Sequence, residues 1–372
     1  MTRTRELVEQ LVAIDSVNPT LVAGGAGEAE IAGFVAAWLD AHGLDVEVQE
    51  LATSRVNVVG RARGSGGGRS LILNAHMDTV SVAGAVDGLE PRIEGNRLCG
   101  RGAYDMKGSL AAIMLAAADA ARLGLAGDVI VTAVADEEAG SIGTEAIART
   151  VTADAAIVAE PTELRLALAH KGFVWLEIET RGRAAHGSRY DLGVDAIALM
   201  GHVLVGLGDL DKRLRAEVAH HHPLLGGGSL HASLIEGGQE LSTYPERCLV
   251  TIERRTLPGE GADLVEEQLQ AVAAGVDATV KRLFVREPLE TARQEPIAAT
   301  LLKSATEALG ECPQVVGVPF WTDAALLSAA GIPTVVFGPG GAGAHADVEW
   351  VDLDDVAKTV QVFLSTAARF CA

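Results

Sequence analysis

The stretch MKGSLAAIMLAAADAARLG, residues 106–124, most narrows what this chain can fold into. It reads as a helix that is apolar almost all round, so it needs partners on every side. Short apolar runs flank it: SLILNA (70–75) before it, DVIVTAVA (128–135) and AAIVA (155–159) after it. Buried strands separated by a buried helix predict a largely parallel sheet covered by helices on both faces. Upstream, EAEIAGFVAAWLDAHG reads as a helix ended by Gly43, and DVEVQEL and NVVGRAR alternate like half-buried strands.

Near residue 170 the texture changes. GFVWLEIETRGRAAH, SLHASLIEGG and RCLVTIERRT alternate with period two, as antiparallel strands buried on one face do. Helical stretches at 191–209 and 261–277 lie among them. Beyond 286 the first texture returns, with helices at 295–309, 322–330 and 353–370 and the strand PTVVFG. The expected organisation is one α/β catalytic domain, residues 1–168 and 286–372, with an α+β domain of ferredoxin-like pattern, residues 169–285, inserted in it. A chain of 372 residues is long enough for two cores.

The polar residues that can do chemistry sit at the carboxyl ends of the expected strands. LILNAHMDTV supplies His76 and Asp78, and VTAVADEEAG supplies Asp136, Glu137 and Glu138. AAIVAEPTE supplies Glu160 and TVVFGPGGAGAH supplies His345, while Asp105 opens the apolar helix. Singly, each has an ordinary reading: a turn residue, a helix cap, a solvated loop. Together they occupy the edge of an open α/β sheet where ligands bind. Two histidines and several carboxylates without cysteine suit a divalent ion such as zinc. Asp105, Glu138 and Glu160 carry three negative charges, which favours two such ions over one, with Asp105 as the bridge. His76 and Asp78 stand two apart and would face the same way in a strand, so the Asp78 carboxylate is expected to accept the His76 ring N–H.

At this point LNAHMDTV, GRGAYDMKGS, ADEEAGSIGT, AEPTEL and the AH at 344–345 resemble the M20 metallopeptidases, in that family's order and over essentially the whole chain. The group includes acetylornithine deacetylase, succinyl-diaminopimelate desuccinylase, aminoacylases and glutamate carboxypeptidases. The resemblance implies that His76, Asp105 and Glu160 hold one metal ion and Asp105, Glu138 and His345 the other, zinc first, with cobalt or manganese as substitutes. It implies Glu137 as general base, Asp78 as the support for His76, and a cis peptide after Asp105. The inserted domain matches the family's lid, which also makes a homodimer contact. His186 in RGRAAHGSRY matches the histidine that stabilises the oxyanion. IERRTLPGE matches the segment that binds the substrate carboxylate, with Arg255 the better aligned and Arg254 the alternative. Ser242 stands where many members have asparagine, a departure that bears on the substrate.

The function expected is therefore hydrolysis of the amide of N-acyl amino acids, acetylornithine among them. Succinyl-diaminopimelate or small peptides are the alternatives, with Phe320 or Trp321 as a candidate acyl pocket. A zinc-dependent protein that binds acyl-amino acids without cleaving them is the rival class, but it predicts a missing base or ligand, and every motif position is filled. GSGGGRS precedes a strand where a dinucleotide fingerprint must open a helix. A net charge of -20 repels nucleic acid. Four scattered cysteines point to a reducing compartment, and the N-terminal helix resembles neither a signal peptide nor a membrane span, so a cytoplasmic location is expected. HHHP at 220–223 looks metal-binding but reads better as a lid loop.

Overall fold

The computed structural model describes residues 2–218 and 221–372. Helices α1 (Thr2–Val12) and α2 (Ala29–Ala41) lead into strands β1 (Asp45–Ala52), β2 (Arg55–Ala62) and β3 (Leu71–His76). Helix α3 (Gly108–Ala120), β4 (Val129–Val134), α4 (Ile142–Thr150), β5 (Ala155–Val158) and β6 (Leu166–His170) follow. Next come β7 (Gly172–Arg181), α5 (Ala196–Ala216), β8 (Ser229–Gly237), β9 (Arg247–Thr256), α6 (Ala262–Val272) and β10 (Ala278–Arg286). The chain ends through α7 (Pro296–Leu309), α8 (Ala324–Ala329), β11 (Thr334–Val336) and α9 (Leu353–Phe370).

Two compact units emerge. The first comprises Met1–Leu168, Thr291–Val316 and Thr322–Ala372; the second comprises Ala169–Glu290 and Gly317–Trp321. The sheet of the first runs β1-β2-β4-β3-β5-β11-β6. Its centre is parallel, β4 with β3, β3 with β5 and β5 with β11, while β1, β2 and β6 pair antiparallel at the flanks. The apolar helix explains the arrangement. Every residue of α3 except Asp119 is buried, and the helix packs on β3 and β4 and against α9. Burial of this order, roughly 25 cal/mol per Å² of apolar surface, dominates the stability of such a layer. Strands β3, β4 and β5 are buried at every position, as strands covered on both faces must be.

The second unit has the order strand-helix-strand-strand-helix-strand, and its antiparallel sheet runs β8-β9-β7-β10. Val174, Leu176 and Ile178 of β7 and Val250 and Ile252 of β9 pack against Met200, Val203 and Leu207 of α5 and Val265 and Leu269 of α6. Two details differ from the periodicity. Helix α5 begins at Ala196, five residues later than expected, because Arg183 pairs with Val194 and Asp195 then caps the helix by accepting from Ala198 N at 2.9 Å. Strand β8 lies on the sheet edge and is exposed beyond Leu230 where one buried face was expected. Among the described residues no helix is long and apolar enough to cross a membrane.

Candidate metal centre

Six potential ligands meet at the carboxyl edge of the parallel strands of the first unit. His76 is the last residue of β3, Glu160 follows β5 by two residues, and Glu137 and Glu138 lie in the turn after β4. Asp105 sits in the turn Ala103–Lys107 that enters α3, and His345 in the Gly-rich loop after β11. The Asp105–Met106 peptide is cis, in line with the family resemblance.

The two oxygens of Asp105 face different histidines: Oδ1 lies 3.1 Å from His76 Nε2, and Oδ2 lies 3.4 Å from His345 Nε2. His76 Nε2 is also 3.8 Å from Glu160 Oε1, and His345 Nε2 is 3.0 Å from Glu138 Oε2. One carboxylate thus stands between two imidazole–glutamate pairs. Grouping donor atoms within 4.8 Å of one another divides the cluster differently, placing Glu137 with His76 and Glu160, and Glu138 with His76 and Asp105. The two divisions differ in which glutamate faces His76; in the pairwise distances Asp105 stands between the two histidines.

The electrostatics set several buried carboxyls against one another. Burial, and then the charge of Glu160, pushes the Glu137 carboxyl well above the usual carboxylate range. Burial and Asp105 do the same to Glu160, and burial raises Glu138. Asp105 behaves oppositely: burial works against its charge, but the imidazoles of His345 and His76 hold it below the ordinary range. His345 is pushed up to about 10 by Asp105 and Glu138. Burial opposes a charge on His76, and the carboxylates of Asp105, Glu160 and Asp78 outweigh it. Four carboxyls against two imidazoles, all oxygen and nitrogen donors, form a set that fits divalent ions.

The supporting contacts revise one sequence expectation. His76 Nδ1 donates to the backbone carbonyl of Asp78 at 2.9 Å, while the Asp78 carboxylate lies 3.6 Å away. A carbonyl can only accept, so Nδ1 carries the proton and Nε2 is the nitrogen turned toward the acids. β3 ends at His76, so the strand alternation that would have aligned the two side chains no longer applies. The Asp78 carboxylate instead accepts from the backbone N–H groups of Glu137 (3.1 Å) and Glu138 (3.2 Å) and from Asn18 Nδ2 at 2.7 Å. Asp136, the first acid of the ADEE run, has φ +71° and turns the chain after β4. Its carboxylate is held by Arg55 and by Asn18 Nδ2 at 3.0 Å.

Two further acids were not singled out in the sequence. Glu349 accepts from the backbone N–H groups of Gly102, Tyr104 and Asp105, each at 3.0 Å, and from Arg101 Nη1 at 2.7 Å, which fixes the turn that presents Asp105. Asp323, buried at 1% exposure, accepts from Thr144 Oγ1 at 2.6 Å, while its Oδ1 has no partner within hydrogen-bonding distance among the described residues. Burial pushes its carboxyl up to about 6. An aspartate opening a helix reads as a cap, yet Asp323 makes no capping hydrogen bond to α8.

The remaining expected residues belong to the second unit. His186 is exposed, its Nδ1 lies 2.8 Å from Ser188 Oγ, and its backbone bridges to Thr243. Ser242 is exposed too, and its carbonyl accepts from Gly187 N at 2.6 Å. Arg254 is fully buried and bound to Glu260 at 2.8 Å, whereas Arg255 is half-buried with Nε on Glu253 at 2.7 Å. Trp321 donates to Glu287 O at 3.1 Å, and Phe320 is 39% exposed. In the HHHP run His220 lies outside the described residues, and His221 and His222 have separate partners, Arg215 O and Glu290.

Residues 72–369 match the family model for peptidase family M20/M25/M40. The sequence is 30% identical to an acetylornithine deacetylase from Myxococcus xanthus, over 99% of this chain and 97% of the relative. The fold matches the crystal structure of an aminopeptidase PepT from Bacillus cereus with a TM-score of 0.81 at 19% identity, covering 100% of this chain and 99% of the other. It also matches a dinuclear metal-binding M20 peptidase from Bacillus subtilis with a TM-score of 0.73 at 17% identity, covering 100% and 98%.

Proposed function

The chain belongs to peptidase family M20/M25/M40, and on that premise we propose that it hydrolyses the amide bond of N-acyl amino acids, as the acetylornithine deacetylase to which it is similar does by name. The observation that carries this reading is Asp105, with one carboxylate oxygen toward His76 and the other toward His345. His76, Asp105 and Glu160 would hold one divalent ion, and Asp105, Glu138 and His345 the other, zinc being the first choice for this donor set. Such a pair, when bound, supplies the positive charge that activates water and polarises the scissile carbonyl.

The chain's own residues do the rest. The Glu137 carboxylate takes the proton of the attacking water and returns it to the leaving amine. With Nδ1 committed to Asp78 O, His76 turns Nε2 toward the acids, where it would offer its lone pair to a bound ion. Asp78 and Asp136 hold the backbone turn that separates Glu137 from Glu138. We assign His186 to the developing oxyanion and Arg255 to the substrate carboxylate, with Ser242 in the loop beside His186. The full burial of Arg254 in its Glu260 pair supports Arg255 over its neighbour. The second unit we assign as the lid and as the contact of a homodimer. Leu234 and Ile235, exposed at 71% and 57% on the edge strand β8, support that contact.

The test is a hydrolysis screen of the zinc-loaded protein against N-acetyl, N-succinyl and N-formyl amino acids and dipeptides. Turnover of N-acyl amino acids is expected. Turnover of dipeptides alone would move the assignment to a peptidase, and none with any free-carboxylate amide would overturn it.

A further inference from the structure

Behind the turn that carries Glu137 and Glu138 lies a buried polar cluster within the first unit. Three carboxyls, Glu28, Asp78 and Asp136, share it with the guanidinium of Arg55 and the amide of Asn18, and all five residues are 5% exposed or less. The strand register explains how Arg55 comes to be there. β2 pairs antiparallel with β4, with Val58 opposite Ala133. The same register, carried past the end of β4, sets Arg55, the first residue of β2, opposite Asp136. Asn57 ties the intervening backbone: its Oδ1 accepts from Ala135 N at 3.0 Å, and its Nδ2 donates to Gly143 O at 2.9 Å.

Both arms of Arg55 are occupied. Nη1 donates to Glu28 Oε1 at 2.8 Å, and Nη2 donates to Asn18 Oδ1 at 3.0 Å and to Asp136 Oδ1. Asn18 Nδ2 donates in turn to the same Asp136 oxygen at 3.0 Å and to Asp78 at 2.7 Å. The other Asp136 oxygen packs over Gly140, where a Cβ would come within 2.8 Å of it. The carboxylate of Asp136 therefore cannot turn without losing two donors. Its place in the chain gives that hold a consequence. Asp136 immediately precedes Glu137 and has φ +71°, a region that residues other than glycine seldom occupy. Its carbonyl closes the turn, accepting from Gly140 N at 3.0 Å and from Ser141 N at 2.5 Å. Such a conformation persists only where the surroundings over-determine it. Arg55 supplies the constraint from a neighbouring strand, with a planar fork that a lysine ammonium does not have.

We propose that Arg55 is a positioning residue for the hydrolytic step: through Asp136 it fixes the direction in which the Glu137 carboxylate points. The inference rests on the proposed function for the role of Glu137 and goes beyond it in naming what aims that base. A cation that only offsets buried acids would, when removed, lower stability and leave the turnover of the folded protein intact. One that aims the base lowers kcat, because a displacement of about 1 Å caused far from the chemistry costs on the order of 100-fold.

The experiment takes Arg55→Met, Arg55→Lys, Asp136→Asn and the double variant Arg55→Met/Asp136→Asn, all zinc-loaded, on the N-acyl amino acid that the wild type turns over best. Arg55→Met is expected to lower kcat by about 100-fold, with KM within about twofold of wild type and two ions per chain by metal analysis. Arg55→Lys keeps the charge without the fork and is expected to recover about tenfold of that loss. Because the effect runs through Asp136, the double variant is expected within about threefold of either single variant. It also removes one charge of each sign, so its comparison with Asp136→Asn carries the test if thermal melts show that Arg55→Met does not fold. A lower melting temperature with kcat within about threefold of wild type overturns the inference. So does a fall in kcat that follows loss of an ion, or losses that multiply in the double variant. Hydrogen exchange reads the turn without substrate: residues 137–141 are expected to exchange about tenfold faster in Arg55→Lys, with α3 unchanged. If the wild type hydrolyses no N-acyl amino acid, the hydrolase reading fails separately and this exchange decides. Faster exchange confined to the turn supports the hold of Arg55 on it, and equal exchange, or a change that extends to α3, ends the inference.

Discussion

The two histidines of the centre stand on different foundations. His76 closes a central strand, is 2% exposed, and has its second ring nitrogen fixed by a backbone carbonyl. Its neighbour Glu160 follows the adjacent parallel strand and is also buried. His345 hangs on a loop at φ +61°, its side chain is 52% exposed, and its Nδ1 has no partner among the described residues. Half of the centre is therefore built by the sheet and half by loops, with Asp105 shared between them. A ligand whose rotamer is locked by packing and by an outer hydrogen bond loses less freedom on binding than one on a mobile support. The strand half should bind its ion more tightly, and the loop half should be the one that exchanges.

Glu137 lies with His76 and Glu160 in the strand half, and removing its chemistry should have the largest effect. Glu137→Gln is expected to lower kcat by about 10²–10⁴-fold while metal analysis still finds two ions per chain. Full activity in that variant would remove the base assignment, and loss of an ion would make Glu137 a ligand, as its proximity to His76 and Glu160 allows.

The next pair separates the halves directly. His76→Ala is expected to weaken metal binding by more than the ~100-fold that loss of a supporting partner costs, and to leave at most the loop-half ion. His345→Ala should keep one tightly held ion and lose the second at low chelator concentration. Titration of each variant with a chromogenic chelator reads both outcomes, and indistinguishable curves would remove the distinction between the halves.

Much of this centre can be read in the sequence because its polar side chains sit where strands end. His76, Glu137, Glu138 and Glu160 each follow an apolar run, and the sheet rule places such residues at a common edge. His345 and Asp105 depend on loops whose path no periodicity describes, so the sequence places them only loosely, beyond a strand and at the start of a helix, and the family resemblance gives each its pair of partners. The supports are less legible still. Asp78 works through its carbonyl for His76 and through its carboxylate for the next loop, a division of labour that residue identity cannot show. Glu349 reaches back across more than two hundred residues of chain to the Asp105 turn, and nothing in its local spacing marks it. The β8 edge departs from its alternation for a related reason: alternation reports that a strand has two faces and leaves open whether anything covers them.

Asp78→Asn tests that division of labour with a smaller effect, about 10–100-fold in metal affinity or activity. The variant keeps the carbonyl that orients His76 and weakens the acceptor that holds the Glu137–Glu138 backbone, so the loop-half ion should be lost first. If the strand-half ion goes first, the carboxylate governs the imidazole in spite of its 3.6 Å separation.

The smallest effect on the reaction is expected at Glu28, at the back of the strand half. Arg55 Nη1 donates to Glu28 at 2.8 Å, and the other arm of the same guanidinium serves Asp136. One cation thus faces two carboxyls, with Asp78 joined to them through Asn18. Burial, and then the charge of Asp78, pushes Glu28 up to about 8 despite the Arg55 contact, from an ordinary value of 4.5. Between these values the folded chain holds a proton that the unfolded chain has released. Folding takes up that proton, so the stabilisation present below 4.5 is lost as pH rises toward about 8. Glu28→Gln has the same shape and no proton to take up. Its stability should therefore fall less steeply over this window, by at most ~1.4 kcal/mol per pH unit. Thermal melts of both proteins from pH 5 to 8 measure the difference in slope. Parallel slopes would mean that Arg55 keeps Glu28 ionised, and that the strand half carries one more fixed negative charge than its pKa implies.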